Sequence, residues 1–181
     1  EIHPRAFFQT NTFQAEVLYE MVLDATGLKS EDETSSVLDL YCGTGTIALC
    51  MAPYADSVAG IELQQDAVEN ARQNARTNGI DNVEFFAGDV GDVLESNDFR
   101  RTVGEVETVV VDPPRSGLLP PAMEQVRELA PPRIVYVSCN PSALADDLAE
   151  LSEAGWSIDS IRPVDMFPHT YHIENVVLLE M

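Results

Sequence analysis

Two side chains in this sequence carry chemistry of their own. Cys139, in Ser138-Cys139-Asn140-Pro141, lies between an apolar run and a helical pattern. Asn140 can cap that helix and Pro141 suits its first turn. A thiol beside a helix N-terminus has its pKa lowered, which favours the thiolate and makes Cys139 a candidate nucleophile. The bland fate of a cysteine is a small buried apolar residue. That reading is taken for Cys50, inside an apolar helix, and Cys42, within a glycine turn, only fills space. Glu174 stands just before the apolar run Val176-Val177-Leu178-Leu179. A carboxylate entering a buried strand is a surface flank or a site residue, and periodicity alone favours the flank. The segment Asp165 to Glu174 is nevertheless too rich in polar and aromatic groups for a plain linker. His169 and His172 within it make no metal signature with a nearby Cys.

A second set of residues reads as a binding site. In Asp39-Leu40-Tyr41-Cys42-Gly43-Thr44-Gly45-Thr46 a strand meets a helix through Gly43 and Gly45, which let backbone turn tightly and approach a ligand. Ala48 completes a dinucleotide-type glycine pattern, weak on its own. Glu62 closes the next strand and can accept both ribose hydroxyls of an adenosine. Asp89 follows the third strand and is placed to meet the adenine side. NAD and S-adenosylmethionine both fit this much. Asp112-Pro113-Pro114-Arg115 follows a fourth apolar strand and looks like the post-strand motif of nucleic-acid methyltransferases. Its prolines hold backbone extended and rigid at the substrate edge.

These residues need a frame. Asn11 and Gln14 have the spacing of a helix cap and its partner, so a helix is expected from about Phe13 to Ala25, with Val17, Met21 and Val22 on one side and Gly27 as its stop. The acidic linker Glu31-Asp32-Glu33 follows. Strands are expected at Val37–Tyr41, Val58–Ile61, Val83–Phe86, Val106–Val111, Ile134–Val137, Ser157–Arg162 and Asn175–Leu179. Helices are expected at about Thr46–Met51, between the start at Asp66 and Glu69 and the stop at Asn78-Gly79, and at about Ser142–Ala154. Roughly seven strands alternating with helices read as an α/β, Rossmann-like, mostly parallel sheet with helices on both faces. In such sheets ligands sit at the carboxyl ends of strands, and every motif above falls on a strand end.

Composition narrows the class. The 181 residues suit one catalytic domain over 1–181 with a helical lead-in over 1–30, and 45% apolar content supports a packed core. No apolar run is long enough to span a membrane, and the polar start has no signal-peptide pattern. The first residue is not Met, which reads as a piece of a longer protein. Three cysteines without a zinc spacing or a secretory signal point to a reducing cytoplasm. Asp and Glu number 31 against 10 Lys and Arg, for a net charge of -21, with Lys29 the single lysine. Such a surface repels phosphate. An RNA partner then requires an RNA-gripping domain outside this stretch, or a salt-rich source whose ions screen the repulsion.

Taken together, Asp112 to Gly117, Ser138 to Pro141 and Phe167 to Glu174, in that order, with Phe8-Gln9-Thr10-Asn11, Leu40 to Thr46 and Glu62, resemble the RNA uridine-5-methyltransferases over essentially the whole chain. The resemblance implies a class I S-adenosylmethionine-dependent methyltransferase acting on carbon 5 of uridine in rRNA or tRNA. It implies Cys139 as nucleophile and Glu174 as the base that removes the carbon-5 proton. It implies Gln9, Tyr41, Thr46, Glu62 and Asp112 as cofactor contacts, with Asp89 added; the family often has Asn where Thr46 stands. Phe8, Phe167 or Tyr171 are candidates to stack on the base. Family members carry further N-terminal sequence, often an OB-type RNA-binding domain, some with an iron–sulfur cluster on four cysteines; neither can be built from this chain. The nearest rival, an RNA cytosine-5-methyltransferase, places a Cys in the motif that here reads Asp-Pro-Pro-Arg. Amino-group methyltransferases prefer an aromatic where Arg115 stands. An NAD-binding oxidoreductase would have no use for Cys139, and a non-enzymatic cofactor-binding remnant is the reading of another class.

Overall fold

The apolar strands assemble into one seven-stranded sheet, described by a computed structural model over residues 11–28 and 35–181. The strands are β1 (Ser36–Leu40), β2 (Ser57–Glu62), β3 (Val83–Ala87), β4 (Thr108–Val111), β5 (Arg133–Ser138), β6 (Ser157–Val164) and β7 (Glu174–Glu180). Their spatial order is β3-β2-β1-β4-β5-β7-β6. The first five are parallel, and β7 runs antiparallel between β5 and β6. Chain direction reverses in connectivity between β1 and β4, which opens the crevice typical of doubly wound sheets.

Strand alternation sorts the core into two layers. Val37, Val58, Phe85, Val110, Val135, Val137 and Val176 pack on the face covered by α1 (Thr12–Thr26), α2 (Thr46–Met51) and α3 (Gln65–Asn78). Leu38, Leu40, Ile61, Val109, Val111, Ile134, Tyr136, Val177 and Leu179 pack on the opposite face. That face is covered by α4 (Val90–Glu95), α5 (Asn97–Val103), α6 (Pro120–Leu129) and α7 (Pro141–Glu153). Helices on both faces of a mostly parallel sheet are the expected fold class.

Several local expectations shift. The Asn11 side chain does cap α1, accepting from the Gln14 amide at 3.4 Å, and Gly27 ends the helix at φ 73°. The buried stripe, however, runs through Ala15, Leu18 and Val22; Val17 and Phe13 face outward. Cys50 is exposed and not buried, because α2 turns Ile47, Ala48 and Met51 toward the sheet. β1 stops at Leu40, so Tyr41 belongs to the turn, and Val106 is buried outside β4. The helices α4, α5 and α6 carry no expectation from the sequence; α6 opens on Pro120-Pro121, and proline suits the first turn of a helix. The expected linker Glu31 to Glu33, and Gln9 with Phe8, lie outside the described residues.

Candidate active site

Glycine geometry shapes the cofactor side. Gly45 adopts φ 79° before α2, and a Cβ there would sit 2.7 Å from the Phe85 ring and 3.0 Å from Ala71. The turn therefore fits against α3 and β3 only with glycine. Beside it the Gly43 amide donates to Glu62 Oε2 at 3.1 Å, and the Gln64 amide donates to Oε1 at 2.8 Å. Glu62 is thus locked in place at the end of β2, half-buried and facing the turn. Thr46 opens α2 half-buried, its hydroxyl 3.4 Å from that of Thr44. Asp89 caps α4, accepting from the Gly91 amide at 2.9 Å. Tyr41 holds φ 64°, an uncommon conformation for a residue with a side chain. Its phenol pKa is pushed up to about 12 by burial and by the charges of Asp89 and Asp147, so Tyr41 and Asp89 share one side of the crevice.

A further carboxylate, to which the sequence motifs assign no role, sits beneath this turn. Asp39 is fully buried in β1; Oδ2 accepts the Ala48 amide at 2.9 Å while Oδ1 has no partner. Burial, with Asp112 and Glu62 nearby, raises its pKa well above the ordinary range. A charged residue inside Val37-Leu38-Asp39-Leu40 was the available signal: burial without partners is costly, so such a group needs a use. Tyr19 of α1 faces the same place, its phenol pushed up to about 12 by burial, then by Asp112, Cys50 and Asp39.

The reactive side lies at the ends of β4, β5 and β7. By alternation from Val37, Val110, Val137 and Val176, the side chains of Asp39, Asp112, Cys139 and Glu174 project toward the α1 layer. The β7 register pairs Asn175 with Ser138, so Glu174 lies just beyond the strand end that carries Cys139. Glu174 is buried, which corrects the surface-flank reading. Burial raises its pKa and the Arg115 guanidinium pulls it back. Asp112 is raised to about 7 by burial and by Glu174.

The Cys139 thiol runs against expectation. Asn140 and Pro141 do start α7, with the Asn140 side chain accepting the Ser142 amide. Yet the thiol pKa is raised, first by burial and then by Glu174, with Asp112 adding to it; Arg115 and the Cys139 amide oppose them. Two carboxylates and desolvation outweigh the helix N-terminus. Arg115 faces both Glu174 and Cys139, and its Nη2 lies 3.4 Å from His172 Nδ1. Tyr171, 90% exposed, rests its ring 4.2 Å from that of His172. Among the described residues no group of three or more His, Cys, Asp or Glu could hold a metal ion.

A glycine turn under a β1–β4 crevice, carboxylates on successive strand ends and an antiparallel β7 define a Rossmann-like methyltransferase domain. The chain belongs to the tRNA (uracil-5-)-methyltransferase family, whose model matches residues 2–181. An uncharacterized RNA methyltransferase of Caldanaerobacter subterraneus subsp. tengcongensis is 46% identical over 175 residues, covering 97% of this chain and 37% of that protein. Another, from Porphyromonas gingivalis, is 47% identical over 180 residues, covering 99% and 38%. The chain thus spans under two fifths of the length of these relatives. The solved tRNA (uracil-54, C5)-methyltransferase of Pyrococcus abyssi, in complex with S-adenosyl-L-homocysteine, superposes with a TM-score of 0.82 at 38% identity, over 98% of this chain and 41% of that one.

Proposed function

We propose that this domain carries out S-adenosylmethionine-dependent methylation of carbon 5 of uridine in tRNA or rRNA, with Cys139 as nucleophile and Glu174 as base. The observation that carries the reading is the convergence of Cys139, Glu174, Asp112 and Arg115, from three separate stretches of chain, at one end of the sheet.

The residues present fit the cofactor. The unpartnered Asp39 Oδ1 and the carboxylates of Glu62, Asp89 and Asp112 supply acceptors for hydroxyl, ammonium and adenine N–H groups. At Gly43 even an added Cβ would meet nothing within 4 Å, which leaves backbone open to a ligand. Glu62 would hold the ribose, Asp89 and Tyr41 the adenine side, and Gly43, Gly45, Thr46 and Asp112 the remainder; Gln9 is assigned by family resemblance. When bound, S-adenosylmethionine supplies an electrophilic methyl group.

The chain's own residues do the rest. Carbon 5 of uracil is a weak nucleophile. The Cys139 thiolate adds to carbon 6, and the electron pair moves to make carbon 5 of the resulting enolate nucleophilic. Arg115 favours the thiolate against the neighbouring carboxylates. Once carbon 5 carries the new methyl group, Glu174 takes its proton and Cys139 leaves carbon 6, restoring the ring. The uridine must be unpaired or flipped to reach Cys139. Tyr171, exposed at the rim, offers a face for a base to stack on. With a charge of -21, this stretch is assigned a small share of the RNA grip, the larger share falling to protein outside these residues.

The test uses tRNA and rRNA fragments substituted with 5-fluorouridine, whose carbon-5 fluorine cannot be removed as a proton. With S-adenosylmethionine present, a covalent adduct mapped to Cys139 is expected in the wild type and absent in Cys139→Ala. Cofactor binding without any adduct would retain the methyltransferase fold and overturn the uridine reading.

A further inference from the structure

The loop after β4 must hold Arg115 beside a thiol and a carboxylate that belong to other elements, yet residues 113 to 118 are neither helical nor paired in the sheet. Their anchor comes from α7. Asp147 is buried, and its Oδ2 accepts the Leu118 amide at 2.8 Å and the Tyr136 phenol. Tyr136 is itself fully buried in β5, two residues before Ser138. Gly117 adopts φ 79°, and a Cβ there would sit 2.5 Å from Asp147 Oδ2, so the loop approaches the carboxylate as closely as only glycine allows. Asn140 adds a second tie: its Nδ2 donates to the Arg115 carbonyl at 2.8 Å while its Oδ1 caps α7. One carboxylate therefore joins the loop that carries Arg115, the strand that leads to Cys139 and the helix that follows it.

We propose that Asp147 is a positioning residue: by binding Leu118 and Tyr136 together it fixes the loop so that Arg115 stays against Cys139 and Glu174. The assignment rests on Cys139 being the nucleophile and adds to that reading the part that orients its cationic neighbour. The groups that face Cys139 are Glu174 from β7, Asp112 from the end of β4, Arg115 from the loop, and the Cys139 amide. If the loop swings away, both carboxylates remain and their counter-charge is lost. The thiol then ionises only at higher pH, and Glu174 loses the same cation.

The experiment compares wild type with Asp147→Ala, Asp147→Asn, Tyr136→Phe and Gly117→Ala in the full-length protein. The first readout is the rate of Cys139 alkylation by iodoacetamide against pH, followed on the Cys139 peptide by mass spectrometry. Asp147→Ala and Gly117→Ala should move the midpoint to higher pH, and Tyr136→Phe should move it less. Asp147→Asn keeps an oxygen for both donors and should restore the wild-type midpoint. The second readout is capture of 5-fluorouridine RNA, expected to slow about 100-fold in Asp147→Ala, the scale of a small misplacement in a reacting site, with S-adenosyl-L-homocysteine affinity unchanged. Unmoved midpoints in Asp147→Ala and Tyr136→Phe would reduce Asp147 to a packing residue and overturn the proposal. Should Asp147→Ala fail to fold, Tyr136→Phe, which removes a single hydroxyl, decides. Should even the wild type trap no RNA, the uridine reading fails while the alkylation profiles still decide the clamp.

Discussion

Glu174 and Asp112 lend themselves to separate measurements although they share one end of the sheet. Glu174→Gln keeps the shape and removes the carboxylate proposed as base. With ordinary uridine RNA and S-adenosylmethionine, this variant should accumulate protein bound to methylated RNA, and turnover should fall about 10²- to 10⁴-fold, the usual contribution of a positioned acid or base. Normal turnover would move the proton-accepting role to another group. Asp112 carries a stability signature. An unfolded aspartate titrates near 3.9 and the folded group at about 7. Between those values the folded state holds a proton that the unfolded chain has released, so stability falls as pH rises from about 4 to about 7 and levels off above. The raised pKa values of Asp39 and Glu174 act in the same direction. The cofactor-free protein should therefore melt at a higher temperature at pH 5 than at pH 8, with a shallower slope in Asp112→Asn. An equal slope in the variant would exclude Asp112 as a contributor.

At the scale of elements, the turn between β1 and α2 is the joint most sensitive to change. Gly45→Ala meets two penalties: a positive φ, costing about 1–3 kcal/mol for a residue with a side chain, and a Cβ pressed on Phe85 and Ala71. The variant should lose S-adenosyl-L-homocysteine affinity and melting temperature together, checked by calorimetric titration and a thermal melt. Wild-type affinity would show that the turn yields without disturbing the ligand. Glycine turns and proline-initiated helices are legible in sequence because they are local: Pro141 after Asn140 marked the start of α7 before any contact was known. The helices α4 to α6 carry weaker local signals: Gly91 falls in the first turn of α4, and α6 opens on Pro120-Pro121. The buried stripe of α1 is not set by its own period: Val17, Met21 and Val22 fit a helical face as well as Ala15, Leu18 and Val22 do, and only the sheet decides which it covers.

For the whole molecule the governing quantity is charge. With 31 acidic against 10 basic residues, mutual repulsion opposes the compact state, and salt shortens its range from about 10 Å at 0.1 M to about 3 Å at 1 M. The melting temperature should rise from low to molar KCl. No rise would count against a salt-rich native setting and place the accommodation of RNA on sequence beyond this stretch. The pairs Arg100–Glu128 and Arg127–Glu150 join different elements, but exposed pairs of this kind contribute little, about 0–1 kcal/mol each. Screening of the unpaired excess is the larger lever.

The sequence by itself determined the alternation of strands and helices, the glycine turn, and the candidates Cys139, Glu62 and Asp89, because each rests on residue type and local spacing. It also held the ordered motifs that mark the family. Tertiary structure decided the rest. Glu174 changes from a flank to a buried carboxylate because β7 inserts antiparallel between β5 and β6, a pairing no local period encodes. Cys139 has a raised pKa because desolvation and two carboxylates from other strands outweigh its own helix. Asp147 acquires a role only when α7 folds back on the loop after β4. Local chemistry is written along the chain; electrostatics and burial depend on neighbours that only the sheet brings together.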